Sequence, residues 1–188
     1  LNAYGRSKLA GERAIRASGC IHLIVRSGWI YSLHRRNFVS SVLDQLDCGA
    51  PLRAPADQFG GPTSAAALAQ MTAALLQRAG ASHAELASTL RARGGLLHVA
   101  CAGRASRHEL AGAIAQAWAQ RHGVPTPSVA SVATAALGER VRRPADSTLA
   151  LDRLVRVWGV TPPPWHEALQ ACLAGCDNSA LPSSAPPA

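Results

Sequence analysis

Residues 20–26, Cys-Ile-His-Leu-Ile-Val-Arg, make a short and nearly continuous apolar run. A strand that is apolar along its length, not at every second position, suits the inside of a parallel sheet covered by helices on both faces. We therefore expect a largely buried strand here. A helix precedes it: Asn2 is a natural cap, and Gly19 can end that helix after Ala17 and Ser18. Helix followed by buried strand is an α/β unit, and in open α/β folds ligands sit beyond the carboxyl ends of strands. The segment 26–32, Arg-Ser-Gly-Trp-Ile-Tyr-Ser, is thus placed to line a site, with Trp29 and Tyr31 as pocket wall or as core.

The same alternation continues. Apolar residues at 38, 39, 42, 43 and 46 recur as one buried helical face, with Asn37 as its cap. A turn-rich stretch, 48–63, holds a short extended piece at 52–55 and leads into a helix over 65–76, capped by Thr63 or Ser64. We expect a helix over 80–95, a strand over 96–100, and a helix over 106–121 opened by a Ser106/Glu109 capping box. Residues 124–137 are small and weakly periodic. A helix over 149–157 ends at Gly159, and prolines 162–164 introduce a last helix, 165–173, in which Trp165 reads as a packing anchor. The tail 177–188, rich in proline and serine, is expected to be disordered.

Composition narrows the function classes. The net charge is +8, but the arginines are scattered, without a dense tract or an aromatic ladder, so nucleic acid is not an expected partner. No run approaches the roughly 18 apolar residues of a membrane span. Five cysteines, an odd number without a secretory signal, suggest free thiols in the cytoplasm. Cys172 and Cys176 have no His or further Cys at a zinc spacing.

Tyr4 and Lys8 carry the chemistry most plainly. A four-residue step on a helix puts both side chains on one face. A free phenol, with a pKa of roughly 10, exchanges protons poorly near neutrality, whereas a nearby cation stabilises the phenolate. Lys8 is the only lysine among 19 basic residues, so a compact ammonium stands where the composition otherwise favours the broad arginine fork. The pair is either an acid/base device or two residues on an exposed helix face.

The blocks YGRSKLAGE, RSGWIYSLHRRNFV, DQFGGPTSAAALAQ, GLLHVACAGRASRHELA and RRPADSTLALDRL with PPPWHEAL occur in the order and spacing of one family. Over about residues 1–173 the chain resembles the dTDP-4-dehydrorhamnose reductases, extended short-chain dehydrogenases/reductases that act on nucleotide sugars. The resemblance implies an α/β fold: the C-terminal part of a Rossmann-like domain in residues 1–50, interwoven with a small mixed α/β substrate-binding region in 51–176. It implies reduction of dTDP-6-deoxy-L-lyxo-4-hexulose to dTDP-L-rhamnose with NADPH or NADH. Tyr4 would give the proton and Lys8 would stabilise the phenolate and bind the nicotinamide ribose, with Arg26 also on the cofactor side. Substrate contacts would come from Trp29, Asn37, Asp57, Gln58, Thr63 and Arg143. Asp57 can equally be a turn carboxylate.

The resemblance also marks departures. The family's glycine-rich turn for the cofactor pyrophosphate and its catalytic Ser or Thr have no counterpart in the sequence, so an N-terminal cofactor-binding half is an expected partner. Cys101 replaces a usual glycine, Arg107 a usual tryptophan and Asp146 a usual asparagine. Asp146 would sit near the substrate diphosphate unless Arg142 or Arg143 pairs with it. Some family members use magnesium at a dimer contact, but no carboxylate cluster supports a metal here, and a homodimer stays open. Two other readings are a different nucleotide-sugar reductase or epimerase, and a non-catalytic remnant or regulatory binding module.

Overall fold

The computed structural model describes residues 2–138 and 143–175. Helix α1 (Ala3–Ala17) opens with the Asn2 carboxamide accepting from the Gly5 amide at 2.8 Å. Strand β1 (Leu23–Arg26) follows, then β2 (Ile30–Tyr31) and α2 (Phe38–Asp47). In α2 the Asn37 side chain accepts from the amides of Val39 and Ser40, and the Ser40 hydroxyl accepts from the Asn37 amide. The buried face, Val39, Val42 and Leu46, is the one the apolar spacing indicates.

Next come β3 (Leu52–Pro55), β4 (Phe59–Gly60), β5 (Thr63–Ser64) and α3 (Ala65–Ala79), the last capped by Ser64. Helix α4 (His83–Arg93) starts later than the expected residue 80 because Ser82 and Glu85 close a capping box, leaving Gly80 at φ 136° in the turn before it. Strands β6 (Gly95–His98) and β7 (Ala105–Ser106) lead to α5 (Arg107–His122), which has the expected Ser106/Glu109 box. Strand β8 (Val129–Val132) and a 3₁₀ turn (Thr134–Leu137) occupy the weakly periodic stretch, and α6 (Asp152–Trp158) and α7 (Trp165–Ala174) complete the order. The expected tail, 177–188, lies outside the described residues.

Strands pair in four twos: β1 with β6, β2 with β5 and β3 with β8, all parallel, and β4 with β7 antiparallel. The strand expected at 20–26 is shorter and more open than its apolar run suggests. It begins at Leu23, and its burial falls from half-buried Leu23 and Ile24 to exposed Val25 and Arg26. Among the described residues only one edge of β1 is paired, so a sequence suited to burial on both sides keeps one side open. Helix α6 begins at residue 152, not 149. The guanidinium of Arg153 there donates to the carbonyls of Arg93 (2.8 Å), Gly94 (2.9 Å) and Leu96, closing the end of α4 and the start of β6.

Two apolar clusters hold these pieces. One lies among α2, α5, α7, β2 and β3 and contains Val39, Val42, Leu46, Leu110, Ile114 and Leu169. The other lies among α3, α6 and β6 and contains Met71, Leu75, Leu97, Val99, Leu154 and Trp158. Trp165 is half-buried and packs against both. Ile114 is fully buried. Ile114→Ala is expected to cost about 2–5 kcal/mol, the range for deleting a large core side chain, whereas Ser106→Ala, which removes a cap, should cost about 1 kcal/mol. Urea denaturation of both variants checks the ranking.

Candidate functional site

A cavity of about 290 Å³ opens beyond β2, between the start of α2 and the start of α5. It is lined by Trp29, Ile30, Tyr31, Phe38, Val39, Pro55, Gln58, Arg107, Leu110 and Arg143. Trp29 adopts φ 46°, the one described non-glycine residue in the left-handed region. Its carbonyl is fixed by the Thr63 amide at 3.2 Å, and its ring lies where Gly60 has no side chain. A Cβ at position 60 would stand 2.5 Å from the ring. The strained backbone and the bare glycine together turn the indole toward the cavity.

One cation faces that indole. The Arg107 guanidinium carbon lies 3.8 Å from the Trp29 ring centroid and 4.7 Å from that of Phe38. Arg143 lines the same space, and Gln58, 4% exposed, sits at its edge with its Nε2 donating to the Thr134 hydroxyl at 3.0 Å. Tyr31 is buried and its hydroxyl has no partner among the described residues. Burial pushes its pKa far up, so the phenol stays neutral at physiological pH. The cavity thus combines aromatic and apolar walls with two arginines and a buried amide.

Of the residues indicated by the sequence, Trp29, Tyr31, Gln58 and Arg143 meet in this cavity. Asn37 stands next to it, but its side chain is engaged in capping α2 and donates to the carbonyls of Ser32 and Arg35. Asp57 turns to Thr134, accepting from its amide at 3.0 Å and its hydroxyl at 2.6 Å, and these bonds hold its pKa below the ordinary value. That is the turn-carboxylate arrangement. Thr63 is fully buried; its hydroxyl donates to the Gly61 carbonyl at 3.1 Å and accepts from the Cys101 amide at 3.2 Å. Asn37, Asp57 and Thr63 therefore shape the walls and do not line the cavity.

Tyr4 and Lys8 lie elsewhere, on the exposed face of α1. Tyr4 is 69% exposed, and the Lys8 Nζ is 5.5 Å from its ring centroid. The helical spacing brings the two together as expected. Arg26 forms a bidentate pair with Glu12 of α1, at 2.7 and 2.6 Å, which ties helix to strand and lowers the Glu12 pKa. Arg107, Phe38 and Leu110 were not indicated as site residues; only the odd charge at position 107 signalled that this spot is unusual.

Arg142 lies outside the described residues, and Asp146 pairs with Arg104 at 2.9 Å while accepting from the Thr148 amide at 2.8 Å. Arg104 in turn stacks 3.5 Å over the Phe59 ring. A larger open groove, about 1070 Å³ between α2, α5 and α7, shares Tyr31 with the cavity beyond β2 and is otherwise lined by residues not proposed as substrate contacts. Among the described residues no group of three or more His, Cys, Asp or Glu could hold a metal, and no helix is long and apolar enough to cross a membrane.

Parallel strand pairs bridged by helices, with a cavity beyond the strand ends, make this a Rossmann-like α/β protein of the short-chain dehydrogenase/reductase type. Within that class the chain belongs to the RmlD substrate binding domain family, whose model matches residues 1–178. It is 34% identical over 176 residues to a dTDP-4-dehydrorhamnose reductase of Burkholderia thailandensis, covering 92% of this chain and 58% of the relative. A reductase of the same name from Sinorhizobium fredii is 32% identical over 168 residues, covering 89% and 54%. The chain thus spans a little over half the length of these relatives. The crystal structure of a dTDP-4-dehydrorhamnose reductase from Bacillus anthracis, in complex with NADP, superposes with a TM-score of 0.74 at 27% identity, over 92% of this chain and 55% of that one. A UDP-glucuronic acid 4-epimerase from Bacillus cereus, at 14% identity and a TM-score of 0.63, shares the fold.

Two outcomes are expected. Gly60→Ala should expel the Trp29 ring, seen as a changed environment for that indole in ¹⁵N-edited spectra. Asp146 has a pKa of about 2, held below 3.8 first by the Thr148 hydrogen bonds and then by Arg104. Its folded value is depressed, so its contribution to stability is present above 3.8 and lost as pH falls through about 2. A carboxyl-carbon NMR titration should place its midpoint near 2, and Asp146→Asn should flatten that part of the acid-stability curve.

Proposed function

We propose that the chain is the substrate-binding and catalytic-helix portion of a dTDP-4-dehydrorhamnose reductase, which reduces dTDP-6-deoxy-L-lyxo-4-hexulose to dTDP-L-rhamnose in the cytoplasm. The observation that carries the reading is the similarity to reductases of that name over about nine-tenths of the chain, which takes in the Tyr4/Lys8 helix and the cavity together. Residues 1–50 belong in this reading to the cofactor-binding domain and residues 51–176 mainly to the nucleotide-sugar region. The parallel pairing of β1 with β6 supports their interweaving, since it takes one strand from each stretch.

The chain's residues suit a nicotinamide cofactor in part. Tyr4 and Lys8 are exposed and adjacent on α1, so a ribose and a carbonyl oxygen can reach both. The one-sided pairing of β1, with Ile15, Ile21 and Val25 exposed near it, supports docking of a cofactor-binding half on this surface. NADPH or NADH, when bound, supplies the hydride for C4 of the ketosugar. The Tyr4 hydroxyl delivers the proton to the C4 oxygen as negative charge develops there. Lys8 stabilises the phenolate left behind and holds the ribose hydroxyls. Arg143 grips the diphosphate through its guanidinium fork, and Trp29 covers the sugar or the ring of the cofactor.

The test joins this chain to the N-terminal part of the Burkholderia thailandensis reductase that it does not cover, and follows NADPH oxidation in a single turnover with the dTDP-4-dehydro sugar. Tyr4→Phe should slow the chemical step by about 10²–10⁴-fold, the usual weight of a positioned general acid, with a much smaller change in cofactor affinity. A fall of less than about threefold, well under that range, removes Tyr4 as the proton donor. The chain without that half should bind NADPH no tighter than about 10 μM, roughly −7 kcal/mol.

A further inference from the structure

We infer that Thr134 is a positioning residue of the cavity: its hydroxyl decides which end of the Gln58 carboxamide turns toward it, and so on which side the carbonyl oxygen of that amide lies. The consequence for substrate rests on the reading of the cavity as the nucleotide-sugar pocket. Gln58 is buried and lines the cavity. Thr134 reaches it through the parallel ladder of β3 with β8, which pairs Pro55 with Val132 and continues in the Ala56 amide donating to the Val132 carbonyl. The same offset of 77 residues sets Thr134, at the start of the 3₁₀ turn, opposite Asp57.

A single proton settles the direction. Asp57 has its pKa held below the ordinary carboxylate value by the Thr134 hydroxyl and then by the Thr134 amide, so near neutrality it is ionised and only accepts. Both its oxygens accept from that amide at 3.0 Å, and Oδ1 accepts from the hydroxyl at 2.6 Å, a length typical of a hydroxyl donating to a carboxylate. A threonine hydroxyl has one proton to give. With that proton committed to Asp57, the Thr134 oxygen accepts from Gln58, 3.0 Å away, and the group donating there is Nε2. The amide turned end for end would set its carbonyl oxygen against an oxygen with no proton left, and burial keeps water from relieving the mismatch. A glutamine carboxamide on its own is ambiguous between its two ends. Because the group is planar, fixing the nitrogen end also fixes the side on which Oε1 lies. Asp57, which does not line the cavity, thus orders a residue that does, through one intervening hydroxyl.

The experiment compares wild type with Thr134→Val, Thr134→Ala and Thr134→Ser. In ¹⁵N-edited spectra of the 188-residue chain, the Gln58 side-chain amide pair is assigned by its loss in Gln58→Leu. Valine and alanine variants offer no acceptor at this position, so they should shift that pair and speed its exchange with water by about two- to tenfold, the equilibrium weight of one neutral hydrogen bond. Thr134→Ser keeps the hydroxyl and should restore the wild-type signals. In the chain joined to the N-terminal part of the Burkholderia thailandensis reductase, Thr134→Val should raise KM for the dTDP-4-dehydro sugar by about two- to tenfold and leave kcat within about twofold, the pattern of lost uniform binding. Thermal melting separates a folding loss from a positioning loss, and the alanine variant gives the answer if the valine variant melts early. Gln58 signals that move in neither variant, or that serine does not restore, overturn the inference, as does a fall in kcat at constant KM. A joined wild type that turns over no dTDP-4-dehydro sugar removes the reading of the pocket and leaves the amide orientation to stand or fall on the spectra, which need no ligand.

Discussion

Thr63 occupies the point where the strands, the turn and the cavity meet, and its hydrogen bonds are made in the absence of water. Its side chain is fully buried, so an unpaired hydroxyl there would carry a desolvation cost of about 1–3 kcal/mol. The hydroxyl is used in both directions, donating to Gly61 and accepting from Cys101, while the backbone amide holds the Trp29 carbonyl. Two segments distant in sequence, at Trp29 and Cys101, are fixed against one residue. The Cys101 side chain, standing where the family resemblance suggests glycine, fits this arrangement: it is buried in the second apolar cluster, and burial pushes its thiol pKa up.

From that point the cavity follows by steps. Holding the Trp29 carbonyl fixes the left-handed turn, and the turn needs the bare backbone of Gly60 to make room for the indole. The antiparallel pairing of β4 with β7, Phe59 opposite Ser106, then brings the first turn of α5 to the same ring. Arg107 lands on Trp29 and Phe38 because of that pairing. The neighbouring charges are settled by the same strand: Arg104 lies over Phe59 and holds Asp146, so the acidic departure in the 143–147 stretch is neutralised from β7's side of the molecule.

The helices and their caps were legible because each depends on a few neighbouring residues: Asn2, Asn37, Ser64 and the Ser106/Glu109 box all act as their types predict. The 52–55 strand was legible for the same reason. The composition of the cavity was only partly so. Trp29, Gln58 and Arg143 could be indicated by motif, but whether a motif residue points into the cavity or into the scaffold depends on partners far away in sequence. Asp57 turns outward because Thr134, 77 residues later, offers two donors. Arg26 is drawn to Glu12 across a helix–strand crossing that no local pattern encodes.

The exposure of α1 bears on the chemistry assigned to it. An ammonium stabilises a phenolate through a Coulomb interaction that is worth about 1 kcal/mol at 4 Å in bulk water and several times more where the surroundings are less polar. Tyr4, 69% exposed, and Lys8, exposed beside it, meet in the first of these conditions. The open edge of β1 lies on the element tied to α1 through Arg26 and Glu12. In the proposed reading, only a covering of α1 would bring the pair into the second of these conditions.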